Sequence, residues 1–514
     1  MKKITLSIVA FACMATTGVN AQSIYDASKL TDRDLSGTAR YVGMGGAMGA
    51  LGGDISTMST NPAGIGIYRS NDINGTVGWS FFGTDTKFDG STFNNERNRF
   101  ALNNMGFVLS NKVGNHTALR YVNFGFNYQR VKSFNRDMSM SGFINTTSDG
   151  YPISQLEQMA HQANHLPGYD LGAGGVFSNP NVGWLSALGW NGYLLDQDEN
   201  TLEYFPMPYD RPEINFSSEE SGKVDQYDFN VSFNINERVF LGLTLGVYDV
   251  TYNKYTYYDE DYGDTQGYGI ASDNQISGSG FDFKLGAIVR PFEDSPFRLG
   301  FAVHSPTFYN LTYYTRAYLG ADVILDNESN FFEVDTYQKL GGDMRREFNM
   351  NTPWKFNLST GYTVGTNLAL GAEYEFQDYS SIRFKEGSAM SYENDEISNH
   401  LKGVHTLKLG AEYKLVPEFA IRAGYNMSTA PHNGSASKNL AINSINTDTD
   451  YANRKTVNNF SLGFGYRGRS FYADMAYLYS TYKEDFYAFN NIYLLPSEVK
   501  NNNHKVMLTM GVRF

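Results

Sequence analysis

The sequence predicts an all-β fold, a transmembrane antiparallel β-barrel of about 14 strands with an N-terminal plug in its lumen. Three observations predict it. The composition is rich in aromatics and glycine yet poor in charge: Phe, Trp and Tyr make up 15% of 514 residues, 51 residues are glycine, and charged residues reach 18%, against about 25% in soluble domains. Short runs along the chain alternate apolar and polar residues with period two. The connections between these runs alternate between short and long. In a membrane barrel only every second strand residue faces lipid, so such a chain is polar on average and still embedded. No apolar run reaches the roughly 20 residues of a spanning helix. A net charge of −13 offers nucleic acid no basic face.

At the N-terminus, Lys2 and Lys3 precede the apolar run Ile4 to Ala15, and Val19-Asn20-Ala21 supplies small residues at −3 and −1 of a cut before Gln22. This pattern predicts a secretory signal peptide over 1–21. Cys13, the only cysteine, falls inside it; Ala10-Phe11-Ala12 ahead of it lacks the leucine of a lipoprotein site. The chain after the cut then has neither disulfides nor thiol chemistry.

The strands are clearest from the C-terminus backwards. Val506, Leu508, Met510, Val512 and Phe514 share one face of a strand, and Lys505, Thr509, Gly511 and Arg513 share the other, as period two requires. The same alternation gives hairpins at 460–466 with 471–479, 407–413 with 419–425, 354–362 with 368–376, 279–291 with 296–304, and 227–235 with 239–247. The last turns at Asn236-Glu237. Earlier strands fall near 71–80, 102–110 and 119–132, completing fourteen. Connections at 111–118, 236–237, 292–295, 364–366, 416–417 and 468–469 have at most eight residues. Those at 81–101, 133–224, 253–278, 305–352, 378–403, 429–455 and 483–503 have about 20 or more, the asymmetry of short periplasmic turns and long extracellular loops. The expected location is the outer membrane of a Gram-negative-type envelope, with the barrel over 71–514 and its largest loop at 133–224.

Residues 22–70 carry no strand pattern. They contain the Gly/Ala-rich stretch Gly43 to Asp54 and then Asn61-Pro62-Ala63-Gly64. Neither GxGxxG nor GxxxxGK[ST] occurs there, which argues against a nucleotide loop; small residues instead suit close backbone packing in a confined lumen. Ala39-Arg40-Tyr41-Val42-Gly43-Met44-Gly45-Gly46-Ala47, through Asp54 to Asn61-Pro62-Ala63-Gly64, resembles the N-terminal hatch of the FadL/TodX family of outer-membrane transporters for long-chain fatty acids and other hydrophobic compounds. Asn236 to Gly242 is similar to that family's periplasmic turn, and Leu299 to Pro306 to its strand ending in Ser-Pro. The resemblance implies a monomeric barrel in outer-membrane lipid that moves a hydrophobic small molecule passively, with long-chain fatty acid the lead cargo. Capture at the loops, a lumen pocket, plug movement and a lateral exit are further expectations it implies. A lipid-like cargo gains free energy by leaving into the membrane. The candidate plug and gating residues are Gly45, Gly46, Asn61, Pro62 and Ala63, with Pro62 stiffening the turn and Asn61 bonding nearby backbone.

Within 133–224, Trp184, Leu185, Leu188 and Trp190 belong to a dense apolar patch that either captures ligand or forms a small loop core. His161 and His165 stand i, i+4 on a short helix over 153–166, ended by Pro167-Gly168, and are the weak candidates for a metal or haem iron; no further ligand is apparent and no cofactor is expected. They make haem uptake the alternative function. Asp259-Glu260-Asp261 with Asp264 is either a hard-cation cluster or a solvated acidic loop. Alternation turns Asp282, Lys284, Arg298, His304, Glu373, Glu375, Lys408, Glu412, Arg422 and Asp474 into the lumen, where they either pair or meet a carboxylate cargo. A barrel lipase or protease and an adhesin are further alternatives. No GxSxG, HExxH or CxxC occurs, and His304-Ser305 and His405 assemble no nucleophile, base and acid, so no enzyme is expected.

Overall fold

The structure, a computed structural model, describes residues 21–145, 150, 152–166, 168, 170–207, 211–263, 266–385 and 390–514. The signal segment 1–20 with Cys13, and the positions Pro167 and Asp264, lie outside them.

Fourteen antiparallel strands close into a barrel. They are β1 (Asp72–Phe88), β2 (Ser91–Lys112), β3 (Leu119–Ser133), β4 (Glu213–Ile235), β5 (Val239–Gly263), β6 (Gln266–Val289) and β7 (Arg298–His304). The second half holds β8 (Lys355–Val364), β9 (Leu368–Asp378), β10 (Gly403–Val416), β11 (Phe419–Ser428), β12 (Val457–Arg467), β13 (Phe471–Tyr487) and β14 (Ser497–Arg513). Each strand pairs with the next in sequence, and β14 returns to β1 in register from Asp72 opposite Arg513 to Lys87 opposite Glu498. Closure leaves no open edge, which is what a sheet in hydrocarbon requires. All fourteen alternating runs are barrel strands. Their apolar faces point outward: Trp79, Phe301, Leu462 and Met510 are each more than half exposed, while their polar neighbours are buried in the lumen.

The strands run well beyond the alternating runs. Positions 81–101, 253–263 and 266–278, expected as loops, are hairpin extensions of β1–β2 and β5–β6. Much of 305–352 is likewise strand, over Phe308–Leu325, Glu328–Asp335 and Met344–Asn351. Outside the lipid band the outward face no longer needs apolar residues, so the alternation fades while backbone pairing continues. Local turn signals mark two of these hairpins: Asp89-Gly90 and Asp326-Asn327 both adopt positive φ at the two central residues, as tight hairpin turns demand.

The ladder is interrupted at two adjacent points of the wall. After β7 the chain leaves the ladder at Ser305-Pro306-Thr307 and resumes pairing with β6 at Phe308. The neighbouring chain breaks at the same level, Thr352-Pro353-Trp354, between Met344–Asn351 and β8. Thr307 N–H donates to Thr352 Oγ1 at 2.8 Å and Thr352 N–H to the Thr307 carbonyl at 3.1 Å. Proline removes a ladder donor in each strand.

The extracellular end is covered by a cap with its own apolar core. It includes α3 (Leu156–Asn164), α4 (Trp184–Asn191) and α5 (Ser391–His400), with Ile153, Phe177, Ile397 and Ile445 among the buried residues that join the upper inward faces of the strands.

Candidate functional site

The N-terminal segment enters at the cap and descends inside the barrel. Helix α1 (Ile24–Thr31) starts with a reciprocal capping box between Ser23 and Asp26. Lys29 bonds Glu220 at 2.5 Å and Tyr252 at 2.7 Å on the upper wall. Asp32 receives Lys132 at 2.7 Å and Arg454 at 2.6 Å from two separate parts of the wall.

Below it, residues 36–68 pack against the inward faces near the short-turn end. Helix α2 (Ala39–Gly43) is held by Thr509 Oγ1, which accepts the Ala39 N–H at 2.7 Å, and by Arg40, whose guanidinium bonds Glu412 at 2.9 and 3.0 Å. Gly49 N–H donates to Glu373 at 2.9 Å, and Asn123 Nδ2 donates to the Ile65 and Tyr68 carbonyls at 2.7 and 3.0 Å. Tyr41, Val42, Met44 and Met48 pack on Ala476, Leu478 and Met507, and Ala63 packs on Phe240 and Ile288.

Asn61 joins both layers. Its Oδ1 accepts the Ala63 N–H at 3.2 Å, closing the Asn-Pro-Ala turn, while Nδ2 donates to the Gly49 carbonyl at 2.8 Å and to the wall carbonyl of Ala287 at 3.3 Å. Pro62 opens a short 3-10 helix and its carbonyl accepts Ser232 Oγ at 2.9 Å. Gly45 takes φ +62° and Gly46 +80°, and a Cβ on Gly45 would lie 2.8 Å from the Leu409 carbonyl. The wall makes matching room: a Cβ on Gly286 would lie 2.1 Å from Asn61 Oδ1, one on Gly242 2.3 Å from Pro62, and one on Gly424 2.1 Å from Gly45 N. Sequence reasoning missed these inward wall glycines. Their signal was glycine recurring at lumen-facing positions of otherwise large-residue strands.

The ten lumen residues read from alternation all face inward, and most are paired. Lys284 lies 2.8 Å from Asp282 and 3.0 Å from Asp228; Lys408 is 2.7 Å from both Glu373 and Glu375; Arg422 is 2.6 Å from Glu412 and from Asp474. Arg298 and His304 bond plug carbonyls, Leu51 and Thr60, each at 2.7 Å. Ser305 accepts Phe283 N–H at 3.0 Å, and His405 packs on Phe376 with its Nδ1 2.6 Å from the Tyr374 hydroxyl; among the described residues neither joins a nucleophile, base and acid.

Between plug and cap lies a cavity of about 370 Å³, bounded by α1, by the plug at Tyr41, Ser59 and Thr60, and by much of the wall. Its lining is mixed. Phe82, Val131, Phe134, Met138, Tyr248 and Leu478 alternate with ion pairs. Two cations there have no carboxylate at ion-pair distance among the described residues. Arg33 is held by the Leu30 and Asp32 carbonyls at 2.8 and 2.9 Å and by the Tyr309 hydroxyl at 2.7 Å. Lys505 makes no side-chain hydrogen bond or ion pair among the described residues. Both wall breaks, at Ser305 to Thr307 and at Thr352-Pro353, also border the cavity.

The loop candidates end up elsewhere. Trp184, Leu185 and Leu188 have no exposed surface, and Trp184 Nε1 donates to the Phe177 carbonyl at 2.9 Å. They hold the cap together and are out of a ligand's reach in this conformation. Trp190 is part-exposed and packs edge-on against Tyr204. The His161 and His165 rings lie 4.3 Å apart, tilted to each other, on an exposed face, with His165 Nδ1 2.8 Å from the His161 carbonyl. Partial burial and the neighbouring His165 lower the His161 pKa. Among the described residues no three metal-binding side chains converge, either here or at Asp259 to Asp261. Glu260 is instead buried, binding Ser154 Oγ at 2.5 Å and Gln155 N–H at 2.7 Å to fix the start of α3.

A closed fourteen-strand barrel, apolar outside and turned tightly at one end, with its own N-terminal segment inside it, is an outer-membrane β-barrel. Its fold is that of a FadL homologue from Pseudomonas aeruginosa, matched at a TM-score of 0.53 with 13% identity over 94% of this chain and 99% of that one. The toluene transporters TbuX of Ralstonia pickettii and TodX of P. putida align with TM-scores of 0.49 and 0.48 at 14% and 10% identity, each over 94% of this chain and 99% of theirs. No protein-family model and no curated protein matches the sequence.

Proposed function

We propose that this protein carries hydrophobic small molecules passively across the outer membrane, and that its cargo is an anionic amphiphile of the long-chain fatty-acid type. The observation that carries this reading is the cavity between plug and cap, whose wall combines apolar and aromatic surface with Arg33 and Lys505, two cations without a carboxylate at ion-pair distance among the described residues. A carboxylate head group gives such a cation a charge-assisted bond, which a plain hydrocarbon cannot do, while the apolar tail occupies the rest of the wall. The fold shared with the FadL homologue and the hatch-like sequence from Ala39 to Gly64 support the transport class. The paired breaks at Ser305 to Thr307 and Thr352 to Trp354 support a lateral exit there: they border the cavity, and Phe301, Trp354 and Phe356 outside them face lipid. Exit then requires plug movement about Asn61-Pro62-Ala63 and loss of the two Thr307–Thr352 bonds.

Uptake of labelled oleate into liposomes carrying the barrel tests this, beside toluene and empty liposomes. Saturable oleate entry is expected, with half-saturation raised about tenfold in Arg33→Gln, the size of losing one charge-assisted bond. A disulfide between Thr307→Cys and Thr352→Cys should stop entry and leave oleate binding intact. Oleate entry no faster than into empty liposomes, with the barrel folded, overturns the reading. Toluene entry without oleate entry overturns the anionic cargo.

A further inference from the structure

Helix α1 begins beneath the cap. Ala21 is fully buried, and its carbonyl accepts Asn446 Nδ2 at 3.3 Å. Gln22 is buried as well, and neither polar atom of its side chain has a hydrogen-bond partner among the described residues. A small pocket surrounds Gln22, Ser23 and Ile24, walled by Tyr392, Glu393 and Glu396 of α5 and by Ser437 to Asn439. Most of its polar groups are engaged. Glu396 accepts Asn439 Nδ2 at 2.9 Å and lies 3.7 Å from His400 Nε2. Lys438 is turned toward the carbonyls of Asp448 and Asp450. Glu393, like Gln22, is left unsatisfied: it is only 4% exposed, and its Oε2 is buried without a donor among the described residues. A buried carboxylate oxygen lacking a donor is costly, and a cation placed beside Glu393 would supply one.

We propose that this pocket binds the chain's own α-ammonium group, generated at Gln22 by signal-peptide cleavage, with Glu393 as its counter-ion. Hydrolysis of the Ala21–Gln22 bond by a signal-peptidase-type protease leaves the new carboxylate on Ala21, which departs with the leader. The new amine stays on Gln22 and takes up a proton. An intact amide presents one N–H and no charge to Glu393; the ammonium presents three donors and a full charge. Anchoring of α1, and with it the upper wall of the cavity around Tyr25 and Lys29, therefore depends on processing. The proposal is independent of which cargo the cavity accepts.

The test is mass spectrometry of the protein purified from outer membranes, followed by acylation with an amine-reactive reagent at neutral pH and quantification of the N-terminal peptide. A chain starting at Gln22 with a free amine is expected. Its acylation should be at least about tenfold slower in the folded protein than after denaturation, because an ammonium in a buried ion pair must first be released. Glu393→Gln should restore acylation to near the denatured rate, and Glu393→Asp, which keeps the charge, should retain part of the protection. Gel mobility before and after heating reports that each variant is folded; should Glu393→Gln not fold, the comparison of wild type with Glu393→Asp decides. A different N-terminal residue, a cyclised pyroglutamate at Gln22, equal acylation of folded and denatured wild type, or unchanged protection in folded Glu393→Gln would each overturn the proposal.

Discussion

Asn61 shows how one side chain ties a plug to a barrel. Its amide satisfies a plug carbonyl and a wall carbonyl at once, and its oxygen closes the turn that Pro62 stiffens. Asn61→Ala leaves the Gly49 and Ala287 carbonyls without that donor, a loss of about 1–3 kcal/mol for each buried group left unpaired. Backbone amides of residues 44–67 should then exchange hydrogen roughly tenfold faster or more, while those of the wall strands keep their rates; unchanged exchange across 44–67 would remove Asn61 from its docking role. Gly286→Val should give the same pattern from the wall side, since any Cβ there meets Asn61 Oδ1. Asn61, Pro62, Gly45 and Gly46 stand out in the sequence because the stretch from Ala39 to Gly64 resembles the hatch of the FadL/TodX family. Gly286 and Gly242 were missed: glycine recurring at lumen-facing positions was their one signal, and its meaning shows only when the plug backbone is seen against them.

At the scale of the element, the informative piece is the loop between β11 and β12. Residues 444–451 are all buried. Lys254 holds Asp448 at 2.7 Å and Asp450 at 2.8 Å, Ser272 meets Thr447 at 2.6 Å, and Gln155 donates to Thr449 at 2.7 Å. Burial and the adjacent Asp448 carboxylate push Asp450 up to about 7. Despite the same burial, Lys254 and Lys438 keep Asp448 well below the ordinary carboxylate range. Folded Asp450 therefore holds its proton to a higher pH than the unlocked loop does, and docking weakens as pH rises from about 4 to about 7. Hydrogen exchange over 444–451 should rise between pH 5 and pH 8 by more than intrinsic chemistry accounts for, and Asp450→Asn should flatten that excess. An excess that survives the substitution would assign the effect to another group. None of this is legible in the sequence. The segment Asn443 to Tyr451 is polar and without period, so by sequence it is a solvated loop; burial comes from partners on β5 and β6, almost two hundred residues away.

For the whole molecule, the wall carries its own charge compensation. Lys284 with Asp228 and Asp282, Lys408 with Glu373 and Glu375, and Arg422 with Asp474 are pairs among strands alone. A chain with the signal segment joined directly to Asn71, lacking 22–70, should therefore still fold and insert, and should form a conducting pore in a planar bilayer where the full chain conducts little. Failure to insert would mean that the plug is part of the barrel's folding core. The strand number, the inward and outward faces and the lumen charges were all readable from the sequence, because lipid on one side and a polar lumen on the other impose period two on every spanning segment. Tertiary structure alone decided the rest. It made Trp184, Leu185 and Leu188 the core of a cap rather than a capture surface, and paired Pro306 with Pro353 at one level of the wall. It also left Arg33 and Lys505 beside a cavity with no carboxylate at ion-pair distance among the described residues. Each of these depends on which distant residue stands opposite, a relation that closure of the barrel creates and that local pattern does not encode.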